Sequence, residues 1–208
     1  MVTATDPALQ YAIDALDVPG VLLGHRVISD GDEFALMPEE LNAFATSVGK
    51  VKRASGAARM VARNLMLRFG QPQQAILKAI SGAPIWPPGL VGSLAHDSEV
   101  AVAAMARRDD FLSLGVDVEP AEPLEGDLLN LIATASELKR MTDHPCGGRL
   151  LFAIKEAIYK SVFPLDETFL EHHDVEVDFV AGVAAIRTGR TVRFRYSLSS
   201  RIVVLAFI

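Results

Sequence analysis

Whatever this chain folds into has to accommodate one abrupt reversal of charge. Between Leu41 and His96 there is no aspartate or glutamate, yet the stretch carries seven basic residues: Lys50, Lys52, Arg53, Arg59, Arg63, Arg68 and Lys78. From Asp97 to Asp143 the balance inverts, with eleven acids against four basic residues. The whole chain is acidic, with a formal net charge of −6. An acid-free basic segment inside an acidic protein implies a local site for a small polyanion. The negative total argues against a nucleic-acid partner, because such proteins usually carry a basic balance.

The 208 residues, half of them hydrophobic, suit one sizeable domain or two small ones sharing a core. No apolar run reaches the ~20 residues of a membrane helix. The opening segment MVTATDPALQYAIDALD lacks a basic leader, which predicts a chain without a secretory signal. A single cysteine, Cys146, cannot form an internal disulfide and fits a reducing cytoplasm as a spectator thiol. His144 with Cys146, or His172 with His173, lacks the paired spacing of a zinc site.

Periodicity predicts an α+β chain. Residues 19–36 read as a strand, a turn at SDGD and a second strand. Pro38-Glu39-Glu40 opens a helical pattern that runs toward Gly70, weakened by Gly49 and Gly56. Residues 71–92 read as loop, and 99–106 and 112–120 as strands. Helices follow at 127–142 and 149–163, around a turn at HPCGG, and strands at 174–187, 190–198 and 201–208. SLAHDSEVAVAAMA (93–106) and SLSSRIVVLAFI (197–208) echo each other as a Ser-Leu turn leading into an apolar strand. Two similar α+β halves, 1–110 and 111–208, would produce that echo.

Three clusters carry chemistry. On a helix, Lys52, Arg59 and Arg63 share one face with Gly56. Their mutual repulsion calls for an anion, and the glycine would let a ligand approach the backbone. In the loop PIWPPGLVGSLAHDS, Ser93 and His96 can donate hydrogen bonds to phosphate oxygens. In GVDVE (115–119), Asp117 and Glu119 point to one side of a strand and Val116 and Val118 to the other. Such a carboxylate pair suits Mg²⁺, which favours a few carboxylates together with substrate phosphates. In FAIKEAIYK (152–160), Ile154 and Ile158 continue to Val162 as an apolar stripe, with Glu156 and Lys160 four apart on a polar face. Each cluster also has a plain structural explanation: a solvated basic face, a turn with a surface histidine, an ordinary ion pair.

Taken in order, R-x-x-A-R (59–63), ILK-x-x-x-G-x-P-x-WP (76–87), GSLAH (92–96), GVDVE and F-x-x-KEAxYK resemble a 4'-phosphopantetheinyl transferase of the Sfp/EntD type, and within it the branch that serves siderophore synthesis. The resemblance implies two pseudo-symmetric α+β halves with coenzyme A, the substrate, in the cleft between them. It implies an Mg²⁺-dependent transfer of the phosphopantetheine arm to a serine of an apo acyl or peptidyl carrier protein, catalysed by a monomer, releasing adenosine 3',5'-bisphosphate. Asp117, Glu119 and Glu156 would hold the metal. Lys52 or Arg53, with Arg59, Lys78, Ser93 and His96, would bind the nucleotide and its phosphates. Lys160 and Lys155 would neutralise the pyrophosphate, and Glu156 would take the serine proton. Where the family's helix carries Glu-Phe and a glycine this chain has Ala54, Ser55 and Ala58, and Ala95 replaces a serine. A coenzyme A-binding regulatory module without activity and an Mg²⁺-dependent phosphohydrolase are the competing readings.

Overall fold

A computed structural model describes residues 6–141 and 144–208. Helix α1 (Pro7–Asp14) starts where the Asp6 side chain accepts from the Ala8 and Leu9 amides, with proline in the first turn. Strand β1 (Leu22–Val27), the short helix α2 (Pro38–Leu41) and the 20-residue helix α3 (Gly49–Arg68) follow. A small hairpin of β2 (Leu77–Lys78) and β3 (Pro84–Ile85) then leads to a long one, β4 (Leu90–His96) with β5 (Val100–Arg107). The second half runs β6 (Leu114–Pro120), α4 (Gly126–Ile132), α5 (Ala135–Arg140) and the 20-residue helix α6 (Gly147–Asp166). It ends with β7 (Val175–Asp178), β8 (Val183–Ile186), β9 (Thr191–Leu198) and β10 (Arg201–Phe207).

The strands form two main antiparallel sheets, ordered β1-β5-β4 and β6-β10-β9-β8-β7. Each is built as strand, long helix and hairpin, with the last strand inserted between the first strand and its own hairpin partner: β1, α3, β4–β5 in one and β6, α6, β9–β10 in the other. The Ser-Leu echo corresponds to these two hairpins. The period-two alternation of a strand assigns their faces. Val102, Ala104 and Ala106 of β5 meet Val116 and Val118 of β6 and Val203 and Leu205 of β10 in a core between the sheets, closed by Leu9 and Ile13 of α1. The opposite faces take the helices: Ala103 and Met105 pack with Ala62 and Leu65 of α3, and Ile202, Val204 and Ala206 with Leu151, Ile154 and Ile158 of α6.

The structure departs from the periodicity in several places: the segments 71–92 and 84–98, read as loop, carry β2, β3 and β4, and helix α1 is an element the periodicity does not predict. After β1 the chain makes a 3-10 turn (Asp32–Ala35) instead of a second strand. The helical pattern after Pro38 breaks into α2, a 3-10 turn and α3. The segment 127–142 breaks after Ile132 into two short helices, α5 opening on a Thr134–Glu137 capping box; residue 142 lies outside the described residues. The segment 174–187 folds back on itself as the β7–β8 hairpin. Among the described residues no helix is long and apolar enough to cross a membrane.

Candidate active site

A cleft of about 440 Å³ runs along the seam between the halves, within the usual size of a ligand pocket. From the first half it is lined by Ser55, Ala58 and Arg59 of α3, Lys78 of β2, and Ser93 and His96 of β4. From the second, α6 contributes Tyr159, Lys160 and Phe163. One wall therefore carries guanidinium, ammonium and imidazole groups, and the other a single lysine leading to carboxylates.

That lysine is the link. Lys160 Nζ donates to Asp117 Oδ1 at 2.7 Å and to the Val116 carbonyl at 3.2 Å. It can reach because α6 lies directly on β6: a Cβ on Gly115 would stand 1.8 Å from the Ala157 carbonyl oxygen. Asp117 is 6% exposed, and its Oδ2 is buried without a hydrogen-bond partner among the described residues. Burial pushes the Asp117 carboxyl above its ordinary value and the charge of Glu156 adds to this, while Lys160 opposes both. Glu119 is also raised, by burial and then by the neighbouring Asp117 charge, with Arg149 opposing at 3.3 Å.

Two matches cover most of the chain. Residues 39–106 match the model of the 4'-phosphopantetheinyl transferase N-terminal domain, and residues 113–205 that of the 4'-phosphopantetheinyl transferase superfamily. The 4'-phosphopantetheinyl transferase PptT of Mycobacterium tuberculosis is 36% identical over 173 residues, covering 81% of this chain and 74% of the relative. The chain belongs to the 4'-phosphopantetheinyl transferase family. Npt of Nocardia iowensis and Svp of Streptomyces mobaraensis, also named 4'-phosphopantetheinyl transferases, are 38% and 35% identical. These alignments cover 68% and 73% of this chain and 65% of each relative.

Within this transferase the structure places Arg59, Lys78, Ser93, His96 and Lys160 around one cleft. Asp117 and Glu119 point away from Val116 and Val118, as predicted. Several other residues are placed differently. Lys155 does not reach toward a pyrophosphate. Its side chain is 1% exposed, and Nζ donates to Glu137 Oε2, the Ile132 carbonyl and the His172 carbonyl at 2.7, 2.7 and 2.8 Å. All three ammonium protons are used, so this lysine ties α6 to α4, α5 and the turn before β7. Lys52 and Arg53 are not on the cleft wall; Arg53 pairs with Asp30 at 2.7 Å and Glu33 at 3.2 Å on the outer side of α3.

Gly56 admits the protein's own backbone rather than a ligand, since a Cβ there would stand 1.9 Å from the Asp32 carbonyl oxygen. Glu156 and Lys160 do not pair with each other, because Lys160 reaches across to β6. Among the described residues no three His, Cys, Asp or Glu side chains converge as a metal cluster; Lys160 and Arg149 hold Asp117 and Glu119 instead. Of the substituted positions, Ala54 and Ala95 are buried, while Ser55 and Ala58 form part of the cleft floor. Cys146 is buried and free.

Sequence reasoning missed Glu40, 1% exposed, which pairs with Arg63 and Arg59. It missed Arg149 as well. A signal for Glu40 existed: it is the last acid before the acid-free stretch, where a balancing charge for the basic helix had to be sought.

Proposed function

We propose that this transferase moves the 4'-phosphopantetheine arm of coenzyme A onto a serine of an apo carrier protein, with Mg²⁺, releasing adenosine 3',5'-bisphosphate. The observation that carries the reading is the cleft whose lining brings Arg59, Lys78 and His96 together with Lys160, the partner of Asp117. A diphosphate spanning the cleft would meet Arg59, Lys78 and His96 at its nucleotide end and Lys160 at its reacting end.

The orphaned, buried Asp117 Oδ2 beside Glu119 and Glu156 fits a hard divalent cation, which combines one or two carboxylates with substrate phosphates. Asp117, Glu119 and Glu156, which do not converge as a cluster here, would have to turn toward one another and away from Lys160 and Arg149 to hold it. When bound, such an ion spreads the charge that develops on a phosphoryl group. The remaining work falls to side chains and is mostly positioning and charge neutralisation. Lys160, released from Asp117, would neutralise the bridging oxygen. The carrier serine Oγ forms a bond to the phosphorus bearing the pantetheine arm, and the bond from that phosphorus to the bridging oxygen breaks. The bisphosphate leaves with the electron pair, and Glu156, which lines the neighbouring cavity beyond Tyr159 rather than the cleft itself, would turn toward the serine to accept its proton.

The test offers coenzyme A, Mg²⁺ and an apo carrier protein and follows the carrier by mass spectrometry. One added phosphopantetheine per carrier supports the reading. Cleaved coenzyme A with an unmodified carrier would establish a phosphohydrolase instead, and binding without either product a regulatory module.

A further inference from the structure

We propose that Glu40 is the positioning residue of the anion-binding wall, orienting Arg59 on α3 and Lys78 on β2 for the nucleotide phosphates. This rests on the reading of the cleft given above. Glu40 does not line the cleft, so it acts through what it holds. Oε1 accepts from Arg63 Nη1 at 3.0 Å and from the Ile76 amide at 2.7 Å, and lies 3.6 Å from Arg59 Nε. Oε2 accepts from the Met37 amide at 2.8 Å. Arg59 Nε in turn donates to the Ile76 carbonyl at 3.1 Å. Both backbone groups of Ile76 are thus fixed by this one cluster, two residues before Lys78.

A second contact fixes the same pair of cations. The Phe44 ring lies 4.8 Å from the Arg59 guanidinium carbon and 5.6 Å from Lys78 Nζ, within cation–π reach of both. The charge count completes the argument. Two buried guanidiniums, Arg59 and Arg63, share one buried carboxylate, so the cluster keeps one positive charge in surplus. Of the three, only Arg59 borders the cleft. A bound phosphate would supply the missing negative charge at the one place where the surplus is accessible.

The experiment compares Glu40→Gln and the double variant Glu40→Gln/Arg63→Gln with wild type in the full chain. The double variant restores the single surplus charge without restoring the orientation, and it relieves the uncompensated guanidinium should Glu40→Gln alone not fold. The KM for coenzyme A and the Kd for adenosine 3',5'-bisphosphate should weaken together by about tenfold to a hundredfold, the range seen when an outer residue holds a ligating one. The kcat at saturating coenzyme A should stay near wild type, because binding rather than the reacting end is disturbed. Wild-type KM and Kd in either folded variant, or a lower kcat at unchanged KM, would overturn the assignment of Glu40 alone. Failure of the wild-type chain to bind either ligand would overturn it together with the reading of the cleft.

Discussion

Helices α3 and α6 occupy equivalent places, each 20 residues long and each laid on the outer face of its own sheet. Each also makes one contact too close for a side chain, Gly56 of α3 against Asp32 and Ala157 of α6 against Gly115. They differ in what they do with charge. Helix α3 buries two arginines against the one carboxylate of Glu40 and presents the surplus positive charge, on Arg59, to the cleft. Helix α6 seals one lysine, Lys155, inside the protein and sends the other, Lys160, to a carboxylate that still has an orphaned buried oxygen. Satisfied polar clusters make rigid walls; an unsatisfied buried oxygen points to a missing partner. The same architecture thus yields a binding wall on one side and a reactive corner on the other.

The sharpest break in that comparison is Lys155→Met. It strands the buried Glu137 carboxylate, which also accepts from the Thr134 and Val177 amides. Removing one partner of a buried ion pair costs about 3–5 kcal/mol, a large share of the roughly 5–15 kcal/mol that holds a domain together. Denaturant unfolding should show that loss. Lys160→Met should cost less stability, because Asp117, already raised by burial, can take up a proton in place of the lost ammonium, yet it should abolish transfer. Equal stability losses in the two variants would erase the distinction between the two lysines.

That distinction marks how far the sequence could be read. Strands β5, β6 and β10 are legible because an apolar run between polar turns has few alternatives, and the Ser-Leu echo reports the repeated hairpin. The cleft cations were legible as types in a basic stretch. Lys155 was not, although it lies on the inward face: it is four residues after Leu151 and three before Ile158, both of them core. Its charge suggests a ligand role, while the helix period places it in the core stripe. The partner that makes burial tolerable, Glu137, is 18 residues away in sequence, and no local rule connects them. Arg53 was misplaced for a similar reason, since Asp30 and Glu33 reach it from a turn the sequence suggested was leading into a strand.

The two glycines test the paired architecture at its tightest points. Gly115→Ala forces α6 away from β6, and Gly56→Ala forces α3 away from the turn at Asp32. Overpacking of this kind costs about 1–3 kcal/mol, read as a lower Tm. The kinetic outcomes should separate. Gly115→Ala shifts Lys160 relative to Asp117 and should lower kcat. Gly56→Ala disturbs the wall that carries Arg59 and should raise the KM for coenzyme A. The same kinetic change in both would mean that the halves do not divide the work.

Asp117→Asn should remove transfer and still not weaken the fold. Burial raises the Asp117 carboxyl above the ordinary value of 3.8, so the folded chain holds that proton more tightly than the unfolded one. Ionised Asp117 therefore opposes folding above its folded pKa, and the opposition vanishes below the ordinary value. The variant should melt higher than wild type at neutral pH, and the gap should close as pH falls toward that value. A lower Tm at neutral pH would show that Lys160 more than repays the burial.

The smallest effect belongs to Arg53→Ala, and it separates helix position from cleft membership. Arg53 shares α3 with Arg59 and lies in the same basic stretch, so charge alone would give both a part in binding. Its guanidinium instead meets Asp30 and Glu33 at the surface, where ion pairs contribute little. The Tm and the KM for coenzyme A should both match wild type, whereas Arg59→Ala should raise that KM. A comparable rise in Arg53→Ala would mean that the coenzyme reaches past the cleft wall onto the outer side of α3. The basic stretch would then act as one extended field, and the precise placement of Arg59 and Lys78 would matter less than the number of charges around them.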